Sequence, residues 1–524
     1  MKNLKQKKPT AQLILTIVLF LIIAAQIIRV TLYSYTTFYQ NLQSDMASDL
    51  LQAELAASQG HLFFADEWFV STELRVIGIN IIPTILFYFG LSYRMIWALT
   101  CGIGAILIAG SVYFAMRMLR LERFESLLAS LLILLPTGEL SYWLYVYPIY
   151  QMFLILLILL TALLTRLIAP DTHSWRICAL GMLVSFLSGL CGTRLLIQGM
   201  IPVLIFMLYR VLRKLSNKDI NLSLVKDTVD MTWPVLLCAA SMVAGYVIYE
   251  FVLGNKYGNG YASFEIDSIN EISKTLLRLP EAFLLLFGLS YQPTSIVGGY
   301  AFLIQVAFIS LSFACAGWLL AYRNRLDHLK SSAVKISTVL IVFSYILVCT
   351  MNNDEAEGPF WRYFALGAYP ILLVIPLAIS NWSKRSLRYV LAVVISLLVF
   401  TYPSYQSAKE INAGIREPYQ PPAYLSYLEE NHYTFGEATF WNANNNTILS
   451  NGEIRIKSVC NDETLSFYDW LTHKEYCDRE GEFLLLTQEE YQLRQQSGWE
   501  TPYRIVYSDD MYLVFDKRIS NTPR

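Results

Sequence analysis

The sequence predicts a polytopic α-helical membrane protein with a small extracytoplasmic α/β domain at its C-terminus. Three observations carry that expectation. The 524 residues are 55% apolar and only 15% charged, against about 45–50% and about 25% in soluble globular proteins. Apolar runs, many of roughly 18 residues or more and so long enough to cross about 30 Å of hydrocarbon as a helix, recur up to about residue 403. Beyond that point the chain turns polar, with strand-length apolar islands (EFLLLT, MYLVFD) and a helical YLSYLEENHY. Residues 1–403 therefore read as a transmembrane domain and 404–524 as a separate domain. A net charge of −1 points to no nucleic-acid partner.

In order, MKNLKQKK leads into an apolar run at 11–33 that is too long for a signal-peptide core and has no convincing cleavage site after it, so it reads as a retained first span with its N-terminus inside. The run at 77–91 is short and holds Gly78 and Pro83. If both it and the run at 95–116 crossed, Arg117, Arg120 and Arg123 would lie outside, against the positive-inside rule. It is therefore expected to lie at the outer interface. Further spans follow at 124–136, 148–167, 177–191, 196–212, 232–253, 297–320, 333–350, 363–380 and 389–403, about eleven in all. The intervening basic segments YRVLRKLSNKD, AYRNRLDHLK and NWSKRSLR then fall inside, and the C-terminal domain outside. The connection at 254–296 ends in an amphipathic segment bounded by Pro280 and Pro293, a second interfacial helix. Six of the eight cysteines lie in or beside apolar runs; Cys460 and Cys477 lie in the polar tail, where an oxidising compartment could pair them. No metal-ligand spacing of Cys and His and no HExxH, GxSxG or P-loop pattern occurs.

The stretch from Ser44 to Arg75 concentrates six acidic residues, Asp45, Asp49, Glu54, Asp66, Glu67 and Glu73, between membrane segments. Such a loop must face water or a polar cavity. The same topology places Glu139, Arg194, Lys256, Arg362 and Tyr363 on the same outer side. Carboxylates can act as a general base or hold a divalent cation such as Mg or Mn. Arg and Lys can clamp a phosphate, and Trp68, Trp143 and Trp361 can stack on a sugar. Each has a plainer reading. Ser44 and Asp45 could cap a helix. Asp49, one turn from Asp45, shares its face, where like charges repel unless a cation sits nearby. Glu73 and Arg75 could form a surface ion pair. Arg362 could pair with Asp354, Glu355 or Glu357.

On these residues the chain resembles the GT-C superfamily of integral-membrane glycosyltransferases, in particular bacterial members of the protein O-mannosyltransferase and aminoarabinose-transferase type. The family's acidic motif in the first outer loop is matched by Ser44-Asp45-Met46-Ala47-Ser48-Asp49, with Met46 in place of the second acid. Gly90 and Arg94 resemble the close of the interfacial helix and the opening of the second span, and Arg362-Tyr363 with Pro370 resembles a late Arg-Tyr pair. The resemblance implies a bacterial plasma-membrane enzyme that moves a sugar from a polyprenyl-phosphate donor to an acceptor at the outer face. It implies Asp45, Asp49 and Glu73 as catalytic carboxylates, Asp45 first as base. It implies substrate contacts from Glu67, Arg75, Glu139, Arg194, Lys256, Arg362 and Tyr363, and leaves the acceptor and any metal ligands open. The competing reading is a transporter or lipid flippase. Transporters place charges near the bilayer midplane and often carry internal repeats, whereas charges here collect at the ends of nearly charge-free runs.

Overall fold

The computed structural model describes residues 9–520 apart from 72–73, 136–137, 170–173, 217–221, 258–267, 290–295, 351–359, 383–384, 463 and 500–502. Among the described residues, eight helices are long and apolar enough to cross a membrane, and Arg123–Ile133 with the helical turns up to Val146 forms a bent pair that makes a ninth. Trp175–Gly189 is a shorter apolar helix, and the last apolar run lies in the helix Arg385–Arg416. Every apolar run expected to cross thus falls on a helix, and the chain is a polytopic α-helical membrane protein. The short run at 77–91 forms only a two-turn helix, Ile81–Phe87, closed by Gly90 at φ +65°. The amphipathic segment is a helix over Ile269–Leu286, capped by the Ser268 hydroxyl on the Glu271 N–H; Pro280 lies inside it and does not bound it.

The chain divides into two compact units. The first comprises Met1–Leu32, Cys101–Val252 and Ser263–Lys409; the second comprises Tyr33–Thr100, Leu253–Ala262 and Glu410–Arg524. The position 403/404 lies inside the helix Arg385–Arg416.

The first unit is helical. Lipid tails are as apolar as leucine, so its helices associate through close backbone approach and polar contacts more than through hydrophobicity. Trp175–Gly189 and Leu222–Ile248 pair in this way. A Cβ on Gly189 would lie 2.0 Å from the Met242 carbonyl oxygen, and one on Gly245 would lie 2.2 Å from that of Phe186. Both obstacles are backbone and cannot swing aside. Gly245→Val is therefore expected to force the two helices apart and destabilise the protein by about 3 kcal/mol or more. Gly110→Ala, where nothing lies within 4 Å, should be neutral; melting curves in detergent compare the two. A buried ion pair also holds this unit: Arg388 Nη1 lies 3.5 Å from the Glu125 carboxylate, which is 1% exposed.

The second unit is built on a five-stranded sheet of order β2-β1-β3-β5-β4, with β1 Phe435–Thr439, β2 Arg455–Val459, β3 Phe483–Thr487, β4 Tyr503–Ser508 and β5 Tyr512–Ser520. β1 pairs parallel with β2 and β3; β5 pairs antiparallel with β3 and β4. The islands EFLLLT and MYLVFD supply β3 and β5, and YLSYLEENHY supplies the helix Ala423–Glu430. Phe483, Leu484, Leu485 and Leu486 are all fully buried, as the continuous apolar run of a strand covered on both faces requires. The helix Gln488–Gln496 opens with a capping box between Thr487 and Glu490. Cys460 and Cys477, whose pairing the sequence leaves open, both carry free thiols here.

The acidic stretch is part of this sheet unit. Its first half is the helix Ser44–Ser58, which packs on the Asn-rich helix Phe440–Leu449. The Ser44 hydroxyl donates to the Phe440 carbonyl at 2.9 Å, and Asn444 Nδ2 donates to Ser48 Oγ at 2.7 Å. Ser44 therefore does not cap its own helix, whose N-cap position belongs to Gln43. Glu54 accepts from Arg455 at 3.0 Å and from Tyr93 at 2.9 Å. Downstream, the Phe69 N–H donates to the Thr472 carbonyl at 2.8 Å and the Lys474 N–H to that of Glu67 at 2.9 Å.

Candidate active site

The named residues collect in two sets, one in each unit. In the first unit, Glu139, Arg194, Arg362 and Tyr363 are joined through aromatic rings. Arg362 stands 5.7 Å from the Trp143 ring centre and 4.9 Å from that of Tyr363, and its Nη2 donates to the Tyr363 hydroxyl at 2.9 Å. Arg194 lies 5.3 Å from the Tyr150 ring, 5.4 Å from Phe153 and 5.9 Å from Tyr363. The Trp143 indole N–H donates to Glu139 Oε2 at 3.1 Å, and Trp143 meets Tyr147 and Tyr150 at 5.9 and 6.2 Å. Two guanidinium groups thus lie over aromatic faces, an arrangement that helps to hold a planar cation in place.

Local backbone helps to place this set. The chain widens into π-helical turns at Tyr142–Val146, which carries Trp143, and at Leu196–Met200, directly after Arg194. A third, Tyr249–Gly254, precedes Lys256. Such turns add a residue to the helix and are frequent at functional sites. Apolar periodicity does not reveal them, so Trp143 could be named from the sequence only as one aromatic among many.

In the second unit, Asp45 occupies the first turn of the helix Ser44–Ser58 and is half-buried. Its charge acts on the Tyr468 phenol, which burial first, and then the thiol of Cys460 and the carboxylates of Asp469 and Asp45, push above its ordinary range. Asp49, 2% exposed, is met by Arg75 Nη1 at 3.2 Å from both carboxylate oxygens. Arg75 is the cation that allows two carboxylates to share that helix face. Asp66 accepts from the Tyr257 hydroxyl at 3.0 Å and from Lys256 Nζ at 3.4 Å, with His61 Nδ1 at 3.8 Å. The Tyr257 hydrogen bond, ahead of Lys256 and His61, holds the Asp66 carboxyl below its usual range against a smaller opposing effect of burial. Tyr257 in turn stacks on Phe64 at 4.7 Å. Glu67 is exposed, and its backbone rather than its side chain is engaged with Lys474. Arg94 donates to the Tyr35 carbonyl at 2.6 Å and lies 4.0 Å from the Tyr35 ring centre. Glu73 lies outside the described residues, as do Asp354, Glu355 and Glu357.

Among the described residues, no group of three or more His, Cys, Asp or Glu side chains converges as a metal ion would require. Asp49 and Asp66 instead face the cations Arg75 and Lys256.

No family model matches the sequence, and no curated protein matches it. The fold is nonetheless a known one, that of a class of multi-pass membrane proteins. Two crystal structures of ArnT from Cupriavidus metallidurans share it. That of the apo state superposes with a TM-score of 0.50 at 10% identity, covering 90% of this chain and 92% of ArnT. That of ArnT bound to undecaprenyl phosphate superposes with a TM-score of 0.52 at 11% identity, covering 97% and 98%. The likeness spans both compact units and is one of fold.

Proposed function

We propose that this protein is a GT-C-type membrane glycosyltransferase that transfers a sugar from a polyprenyl-phosphate donor to an acceptor at the extracytoplasmic face of a bacterial plasma membrane. The observation that carries this reading is the pair of ring-stacked guanidinium groups, Arg194 and Arg362, in a fold shared with a protein crystallised with undecaprenyl phosphate. In this reading the two arginines hold the donor phosphate. Trp143, Tyr150 and Tyr363 fix the arginines, the half-buried Tyr363 offers a face to the sugar, and Glu139 orients Trp143. An acceptor hydroxyl attacks the anomeric carbon, the bond to the phosphate oxygen breaks, and polyprenyl phosphate leaves. Asp45 takes the hydroxyl proton. Lys256, Arg75 and Glu67 stand as substrate contacts of lower rank, because Lys256 and Arg75 already serve Asp66 and Asp49.

Transfer of label from radiolabelled polyprenyl-phosphate sugars, measured in inside-out and right-side-out vesicles, tests the reading. A charge-assisted hydrogen bond contributes about 1.5–3 kcal/mol, so Arg194→Ala and Arg362→Ala should each raise the donor KM by about 10- to 100-fold. Arg362→Lys keeps the charge but loses the planar stack, and should fall between. Absence of transfer with any donor, together with movement of lipid across the bilayer, would replace the enzyme by a flippase.

A further inference from the structure

The first unit contains a cavity of about 770 Å³ that the glycosyl-transfer reading does not use. Three stretches of basic side chains converge on it. Arg210, Arg213 and Lys214 come from the last two turns of the helix Ile201–Ser216. Arg323 comes from the turn Arg323–Arg325, and Lys335 from the second turn of the helix His328–Thr350. Asp227 and Asp230 line the same cavity, and Asp227 lies 3.6 Å from Lys214 Nζ. Five cations thus face two carboxylates, and Arg210, Arg213 and Arg323 are near enough for their charges to act on Lys335.

Like charges drawn together from separate helices repel unless an anion lies among them. The helices that bring them together are fixed at other points, Arg210 by its hydrogen bond to the Ile168 carbonyl at 3.1 Å. The volume falls within the range of small-molecule sites. One wall is apolar and outward-facing: Tyr209 lines the cavity and is 51% exposed, flanked on its helix by Leu208 and Leu212, at 56% and 58%. On a membrane-spanning helix these faces lie against acyl chains.

We propose that this cavity binds a phosphate-bearing anion, and that an anionic phospholipid supplies it, its headgroup among Arg210, Arg213, Arg323 and Lys335 and its chains along Tyr209 and Leu212. Basic cavities between membrane helices suit such headgroups. Tyr209 and its leucines favour a lipid over a soluble phosphate, which would need no apolar wall.

The test uses the full chain, delipidated in detergent and then offered phosphatidylglycerol, phosphatidylcholine or inorganic phosphate. Retained lipid is counted by native mass spectrometry, and melting temperature is followed in parallel. Wild type should retain phosphatidylglycerol over phosphatidylcholine and melt higher with it. The double variant Arg213→Gln, Lys335→Gln should retain at least about five-fold less phosphatidylglycerol, with phosphatidylcholine unchanged. Arg323→Gln, on an exposed turn, repeats the test outside the helices and removes only the hydrogen bond from Arg323 to the Leu320 carbonyl. Equal retention of phosphatidylglycerol by wild type and by folded variants would overturn the site. Inorganic phosphate at about 10 mM that raises the melting temperature as much as the lipid and displaces it would overturn the lipid as the source.

Discussion

Asp45→Asn is expected to lower the transfer rate by at least about 100-fold while leaving the donor KM within a few-fold of wild type. A positioned general base contributes about 10²–10⁴ in rate, and Asn has the shape of Asp without its charge. The folded state should tolerate the change. Asp45 lies in the first helical turn, where a carboxylate contributes only about 0.3–1 kcal/mol through the helix dipole. The melting temperature therefore reports on folding, and kcat on chemistry. A loss below about ten-fold would remove Asp45 from the base role. Asp49→Asn makes the contrast. Its carboxylate is 3% exposed and held by Arg75, so the variant should lose stability first, as a buried cation left without its partner does.

The second large effect is on stability. The Glu437 carboxylate, 3% exposed in strand β1 between β2 and β3, receives Lys517 Nζ at 2.6 Å and the Gly481 N–H at 2.9 Å, with Lys457 Nζ at 3.2 Å. Burial pushes its carboxyl up. The Lys517 hydrogen bond, the Gly481 N–H and the charges of Lys517 and Lys457 together outweigh burial and hold it below the usual Glu range. Glu437→Gln leaves the buried Lys457 and the half-buried Lys517 facing a neutral amide and should destabilise the fold by about 3–5 kcal/mol. The pH dependence has a definite sign. With the folded value depressed, the contribution is fully present above the unfolded value of about 4.3 and is lost as pH falls through the folded value. Denaturation of full-length wild type and variant should therefore differ at pH 7 and converge as the pH falls from the unfolded value of about 4.3 through the depressed folded one. A constant difference across that range would show that Glu437 acts by shape and not by charge.

Much of the architecture was legible in the sequence because its cause is local. A helix rises 1.5 Å per residue, so an apolar run declares its reach, and the strand-length islands in the tail declare β3 and β5 by their short length and flanking polar residues. The acidic stretch and the arginines at 194 and 362 also stood out, because charge is scarce in so apolar a chain.

What the chain order could not give is which charge meets which. Glu54 finds Arg455, Ser48 finds Asn444, and Glu437 finds Lys517. Arg75 reaches Asp49, on a helix 26 positions earlier. The same holds for the acidic stretch as a whole, which reads as a loop between spans and folds as part of a sheet unit whose strands begin near residue 435. Hydrophobicity is a property of each residue and sums along a run. Pairing between ions depends on distance and on exclusion of water, and both are set only when remote segments have packed.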